Sequence, residues 1–286
     1  MPTTQQIIPG DCIEGMRTLP DASVHCCVTS PPYWLLRNYN HDGQIGLEST
    51  PEAYVARMVE VFREVRRVLR DDAVLFLNLG DTYSSGKQLV GIPWRVAFAL
   101  QADGWLLRQD IIWQKRNPLP ESVTDRCTKA HEYVFLLAKS ERYFYDAEAV
   151  SEASTGQCGA AASFRRTTKD HLIPGQSAVQ HRMNRKDRED SGRRNRRSVW
   201  TISTKPYSGA HFAVMPPDLV EPCIKAGCPE GGTVLDPFAG SGTTLAVAAE
   251  QGRNAIGCEL NPEYIALAKK RIREARESVA LFEGIS

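Results

Sequence analysis

The chain has almost no net charge, and that absence sets the first bounds. Its 35 Lys and Arg nearly balance 34 Asp and Glu, leaving +1 at pH 7, so no global field draws it to nucleic acid or to an anionic membrane. No apolar run approaches the twenty or so residues that span a bilayer, and nothing reads as a signal peptide. A soluble, cytoplasmic chain with no membrane partner is the expectation. Eight cysteines are present, yet none is spaced Cys-x-x-Cys, the six histidines are scattered, and Cys223 and Cys228 lack further convergent ligands. No metal is expected, and the thiols should stay reduced. Internal repeats are missing, as are a Gly-x-Gly-x-x-Gly spacing and the lysine that follows the glycines of a phosphate-binding loop. What remains, 286 residues at 42% hydrophobic content, is enough for one large α/β core with an appended module.

Two short motifs stand out against this background. Leu235-Asp236-Pro237-Phe238-Ala239-Gly240-Ser241-Gly242-Thr243-Thr244 follows an apolar strand around Val234-Leu235 and runs into Leu245-Ala246-Val247-Ala248-Ala249, a good helix former. That is a strand-to-helix turn. Gly240 and Gly242 remove Cβ atoms where the backbone must turn sharply and approach a ligand, and the helix start behind them offers free N–H groups. The next strand, Asn254 to Glu259, ends in a carboxylate placed to accept hydrogen bonds from ribose hydroxyls. With no phosphate-binding spacing present, the ligand read from this turn is a nucleoside without phosphate.

The second motif is Thr29-Ser30-Pro31-Pro32-Tyr33-Trp34, which ends the buried strand Val24 to Thr29. Proline cannot donate to a sheet ladder, so the strand stops there and the loop lies at its C-terminal end, the edge where open α/β sheets collect ligands. Two consecutive prolines fix the backbone, so the Ser30 hydroxyl and the Pro31 carbonyl are held as acceptors. Tyr33 offers a face for stacking, as an extruded base requires.

With both motifs in this order, the chain resembles the β-class DNA amino-methyltransferases, in particular the cytosine-N4 members with Ser-Pro-Pro-Tyr. The resemblance covers roughly residues 7 to 276. It implies an α/β fold: a Rossmann-like S-adenosylmethionine-dependent methyltransferase sheet with circularly permuted motif order and an inserted target-recognition segment. Gly10-Asp11-Cys12 is similar to the family's opening element, whose Asp lies beside the cofactor's adenine. Lys205-Pro206 and His211-Phe212-Ala213-Val214-Met215-Pro216 resemble the segment over the cofactor's methionine end. The resemblance thus gives Asp11, Cys12, Lys205, His211, Phe212, Asp236, Pro237, Phe238, Gly240, Ser241, Gly242, Thr243, Glu259 and Asn261 as the cofactor set. Ser30, Pro31, Pro32 and Tyr33 are the expected catalytic set. The stretch Trp113 to Ser122, with His131, Glu132 and Lys139, is expected along the active-site wall.

Between the motifs, residues 151–200 hold eleven Lys and Arg against five acidic residues, with much Ser, Gly, Gln and Asn and little apolar periodicity. A solvated linker is the plain reading of such a run. Inserted between a base-gripping loop and a cofactor turn, it reads instead as a DNA-contacting segment in which Arg165, Arg166, Arg193, Arg194, Arg196 and Arg197 meet phosphates. The expected organisation is therefore 1–150 as the catalytic half, 151–200 as target recognition and 201–286 as the cofactor half. A helix is expected from Thr50-Pro51, with strands at about 73–79, 106–113 and 133–138 and helices at about 93–102 and 262–278.

The implied chemistry is methyl transfer from S-adenosylmethionine to an exocyclic amine of a flipped base in double-stranded DNA. Ser30 Oγ and the Pro31 carbonyl would take the amine's N–H groups and aim its lone pair. Serine at the first position favours cytosine N4; adenine N6 is the alternative. A DNA-binding protein that has lost transfer, and methylation of RNA or of a protein glutamine amide, stay open as other readings. So do a homodimer and a cognate restriction endonuclease as partners.

Overall fold

The computed structural model describes residues 3–39, 41, 43–154, 192–205 and 214–283. Its strands are β1 (Gln5–Pro9), β2 (Val24–Thr29), β3 (Leu69–Leu79), β4 (Leu106–Lys115), β5 (His131–Ala138), β6 (Glu152–Ala153), β7 (Arg193–Arg194), β8 (Val199–Ile202), β9 (Thr233–Asp236) and β10 (Asn254–Glu259). The helices are α1 (Cys12–Arg17), α2 (Pro51–Val68), α3 (Ile92–Ala102), α4 (Pro217–Gly227), α5 (Thr243–Glu250) and α6 (Pro262–Glu283). Two compact units result: Met1–Asp146 with Arg197–Ser286, and Ala147–Arg196.

The first unit is built on an eight-stranded sheet in the order β1-β10-β9-β2-β3-β5-β4-β8. Strands β1, β10, β9, β2 and β3 run parallel, β5 is antiparallel to both β3 and β4, and β8 adds parallel to β4. Strand order reverses between β9 and β2: β9 continues through α5 to β10 on one side, β2 through α2 to β3 on the other. Such a switch point opens a crevice at the strands' C-terminal ends. The Ser30 loop and the Asp236 turn both begin there.

The central strands are apolar on both faces, as a parallel sheet covered by helices demands. Period-two alternation sends Cys27, Leu75 and Leu77 into a core with Tyr54, Met58, Phe62 and Val65 of α2. The opposite face carries Cys26, Val74 and Phe76 against the end of α4, where a Cβ on Gly227 would stand 2.7 to 2.9 Å from those three side chains. Helix α2 starts as its sequence requires: Thr50 Oγ1 accepts from Ala53 N at 3.1 Å and Pro51 occupies the first turn. Strand β3 begins at Leu69, earlier than the apolar run suggests, because Leu69 already pairs with Val24 while the Arg70-Asp71-Asp72 triplet stays extended and exposed. Helix α6 likewise continues past 278 to Glu283.

In the second unit β6 and β7 pair antiparallel, Glu152 with Arg194 and Ala153 with Arg193. Arg194 Nε donates to Glu152 Oε1 at 2.8 Å, and the Arg193 guanidinium donates to the hydroxyl and carbonyl oxygens of Ser151, both at 2.6 Å. Arg165 and Arg166 lie outside the described residues.

Candidate active site

The foot of the site is a buried hydrogen bond between the two motifs. Thr29 Oγ1 donates to Asp236 Oδ1 at 2.6 Å, tying the residue before Ser30 to the residue that opens the glycine turn. Phe238 N donates to the same oxygen at 3.1 Å. Asp236 is only 2% exposed, and burial pushes its carboxyl up to about 6, with the nearby Glu259 adding to the rise and the bonds from Thr29, Thr244 and Phe238 opposing it. A buried carboxylate in this position favours a cationic ligand.

Beyond Asp236 the chain turns through Gly240 (φ +52°) and Gly242 (φ +78°), conformations that favour glycine. At Gly242 a Cβ would collide with Ala268 of α6 at 2.7 Å, so that glycine also lets α6 close on the turn. Gly240 N donates to Glu259 Oε2 at 2.7 Å and Asn261 N to Oε1 at 2.8 Å, which fixes the Glu259 carboxylate at the C-terminal end of β10, beside the turn. Burial raises its carboxyl too. The buried Asp236 carboxylate, the half-buried Glu259 carboxylate as an acceptor for ribose hydroxyls, and a turn with no Cβ at Gly240 suit a cationic nucleoside such as S-adenosylmethionine.

The remaining residues of the expected cofactor set divide by side-chain direction. Asp11 caps α1 through Ile13 N and Glu14 N, at 2.8 and 3.1 Å, and its other oxygen lies 3.5 Å from Arg57. Cys12 is 6% exposed, its thiol pushed up to about 12 by burial, so what it presents at the sheet edge is backbone. Ser241 and Thr243 turn inward, where their hydroxyls accept from Arg271 at 3.3 and 2.6 Å. Asn261 Oδ1 accepts from Glu263 N, capping α6. Pro237 is buried and Phe238 partly so, and Lys205 is exposed in an ion pair with Asp218 at 2.8 Å. His211 and Phe212 lie outside the described residues.

On the other side of the Thr29–Asp236 bond the Ser30 loop enters a compact polar network. Ser30 Oγ donates to Tyr33 Oη at 3.2 Å, and Tyr33 Oη donates to Glu132 Oε2 at 2.7 Å. Asn78, 3% exposed at the end of β3, points its amide at all three: 3.3 Å to Ser30 Oγ, 2.9 Å to Tyr33 Oη and 3.0 Å to Glu132 Oε2. Lys115 Nζ pairs with Glu132 Oε1 at 2.5 Å. The Tyr33 ring lies so close over Gly80 that a Cβ there would stand 2.5 Å from it. Tyr54 Oη donates to the Pro32 carbonyl at 2.8 Å, and Trp34 Nε1 to the Glu48 carbonyl at 2.8 Å, so the loop is braced on both flanks. Burial, with Glu132 adding, holds the Tyr33 phenol well above its ordinary range.

Asn78 and its role in this network are not singled out by any motif. The available signal is a lone polar residue inside the apolar run Val74 to Leu79. Asp81, two residues past β3, is a structural cap: its carboxylate accepts from Thr82, Gly91 and Ile92 N–H groups. Among the described residues no group of three or more His, Cys, Asp or Glu side chains is placed to hold a metal, and no helix is long and apolar enough to cross a membrane.

Comparison with known proteins gives the family and the fold. The profile of the N6/N4 methyltransferase family, described as DNA methylase, matches residues 24–270. The Type II methyltransferase M.Cfr9I of Citrobacter freundii is 43% identical over 295 residues, covering 93% of this chain and 87% of its own. M.SmaI of Serratia marcescens, also a Type II methyltransferase, is 43% identical with coverages of 95% and 91%. Among solved structures, the cytosine-N4-specific PvuII DNA methyltransferase superposes with a TM-score of 0.71 at 21% identity, covering 98% of this chain and 93% of that one, a likeness of fold. A protein of Thermus thermophilus described as a DNA modification methylase, solved in complex with S-adenosyl-L-methionine, gives a TM-score of 0.63 at 28% identity and 96% coverage of both chains.

Proposed function

The chain belongs to the N6/N4 DNA methylase family, and from that premise we propose that it methylates the exocyclic N4 amine of a cytosine flipped out of double-stranded DNA. The methyl donor is S-adenosylmethionine, which when bound supplies an electrophilic methyl on a sulfonium. Asp236, Glu259 and the Gly240–Gly242 turn hold it; Asp11, Phe238 and the backbone at Cys12 line the adjoining edge. Ser30 Oγ and the Pro31 carbonyl accept the two N–H groups of the amine, which localises the nitrogen lone pair and aims it across the crevice. Pro31 and Pro32 keep these acceptors from relaxing.

The observation that supports this reading most is the 2.6 Å bond from Thr29 to Asp236, which joins the Ser30 loop and the glycine turn at adjoining strand ends of one sheet. Serine at the first motif position supports cytosine N4 over adenine N6. The basic run, with Arg193, Arg194, Arg196 and Arg197, contacts DNA phosphates, so 151–200 serves target recognition and the flanking halves serve catalysis and cofactor binding.

The test is mass spectrometry of nucleosides from plasmid DNA treated with the purified protein and labelled S-adenosylmethionine. Labelled N4-methylcytosine is expected. Labelled N6-methyladenine would keep the mechanism and overturn the base, and unlabelled DNA would overturn the reading.

A further inference from the structure

Serine is too weak a base to keep the proton that the amine must lose, and the Ser30 network contains a stronger acceptor. A carboxylate accepts hydrogen bonds and donates none, so Tyr33 must donate to Glu132 Oε2 across their 2.7 Å. The Asn78 amide, 3.0 Å from the same oxygen, must present its NH2 group there and to Tyr33 Oη. With Tyr33's own proton committed to Glu132 and only its lone pairs open, the Ser30 hydroxyl has to donate to Tyr33, as its 3.2 Å separation allows. Every proton in the chain Ser30–Tyr33–Glu132 therefore points the same way, and Ser30 Oγ keeps lone-pair capacity to accept a further proton.

On the amino-methyltransferase reading above, we infer that Ser30 and Tyr33 relay the departing amine proton to Glu132, the terminal proton acceptor of the reaction. As the N–C bond forms and the donor's S–C bond breaks, the base carries a positive charge and one N–H proton too many. That proton passes to Ser30 Oγ, the Ser30 proton to Tyr33 Oη, and the Tyr33 proton to Glu132 Oε2. Both hydroxyls end as they began, the base is neutral, and Glu132 becomes a carboxylic acid that later loses its proton to water. Tyr33, its phenol held far above its ordinary range, works as a neutral relay. Lys115 at 2.5 Å fixes the other Glu132 oxygen, Asn78 holds the Tyr33 and Glu132 oxygens in register, and the Lys129 ammonium also feels Glu132.

Two variants test the route. Glu132→Gln keeps the shape but ends the relay on an amide, and Tyr33→Phe keeps the ring over Gly80 while cutting the relay in the middle. Removing a proton acceptor costs about 10² to 10⁴ in rate. Each variant should lose at least about a hundredfold in single-turnover methyl transfer, within that range. S-adenosylmethionine affinity by calorimetry should be unchanged. Glu132→Gly should recover transfer when formate is added, a response no purely structural role produces. Wild-type rates in both Glu132→Gln and Tyr33→Phe, or no response of Glu132→Gly to formate, would overturn the route while leaving the methyltransferase reading standing. Failure of the wild type itself to label DNA would overturn both.

Discussion

Replacing Asp236 by asparagine separates what this carboxylate does for ligand binding from what it costs the fold. Its carboxyl is pushed from 3.8 to about 6, so the folded chain binds that proton more tightly than the unfolded one. The sign follows: stability from this group is fully present below the unfolded value, is lost as pH rises through about 6, and above that the ionised group is a constant penalty. At 1.36 kcal/mol per unit the penalty is on the order of 3 kcal/mol. Asparagine should remove it without disturbing the site. Both Oδ1 bonds, from Thr29 at 2.6 Å and Phe238 N at 3.1 Å, survive on the amide oxygen, and the new NH2 group can donate to the Thr244 hydroxyl. Calorimetric melting without S-adenosylmethionine should therefore place Asp236→Asn roughly 5 °C above the wild type at pH 8, given the unfolding entropy of a chain of this size. The gap should shrink by about half at pH 5 and nearly close by pH 4. With S-adenosylmethionine present the order should invert, because the variant loses the anionic partner of a cationic ligand. A variant that melts below the wild type at pH 8, by an offset that persists at pH 4, would show that hydrogen bonds rather than desolvated charge govern this position.

Other perturbations read other parts of the site. Gly80→Ala places a Cβ 2.5 Å from the Tyr33 ring and should cost about 1–3 kcal/mol of stability. Displacing the ring should also cut methyl transfer by about 10² with S-adenosylmethionine affinity intact; full activity would mean that the Tyr33 position is irrelevant to transfer. Neutralising Arg193, Arg194, Arg196 and Arg197 should weaken DNA binding and lower the slope of log affinity against log salt by close to one for each phosphate left unneutralised. An unchanged slope would return that run to a solvated linker.

How far the sequence alone reached depended on whether a residue's job is local. The glycine turn and the double proline dictate their own backbone, so the placing of Asp236, Gly240, Gly242 and Ser30 at strand ends follows from a few adjacent residues. The α2 helix is equally local, since Thr50, Pro51 and the apolar spacing from Tyr54 to Val68 suffice. Side-chain direction is not local. Ser241 and Thr243 turn to Arg271 because α6 packs on the turn, a contact set some thirty residues downstream. Asn78 meets Ser30 and Glu132 only because β3 lies between β2 and β5, and that order is invisible in any window of sequence. Helix α4 carries Pro222 in its interior and β8 is only four residues long, which masks both from periodicity. Asp81 illustrates the converse: a strand-end carboxylate in a candidate crevice is occupied by three backbone N–H groups of its own fold.

The most direct test of the central claim, that one sheet edge carries two adjoining half-sites with separate jobs, is a paired measurement on Ser30→Ala. S-adenosylmethionine affinity by calorimetry and the single-turnover rate of methyl transfer to DNA would be taken on the same preparation. The expected result is an affinity within about twofold of the wild type and a rate lower by about 10² or more. An equal loss in both would contradict it, since Ser30 would then belong to the cofactor cradle and not to the amine grip.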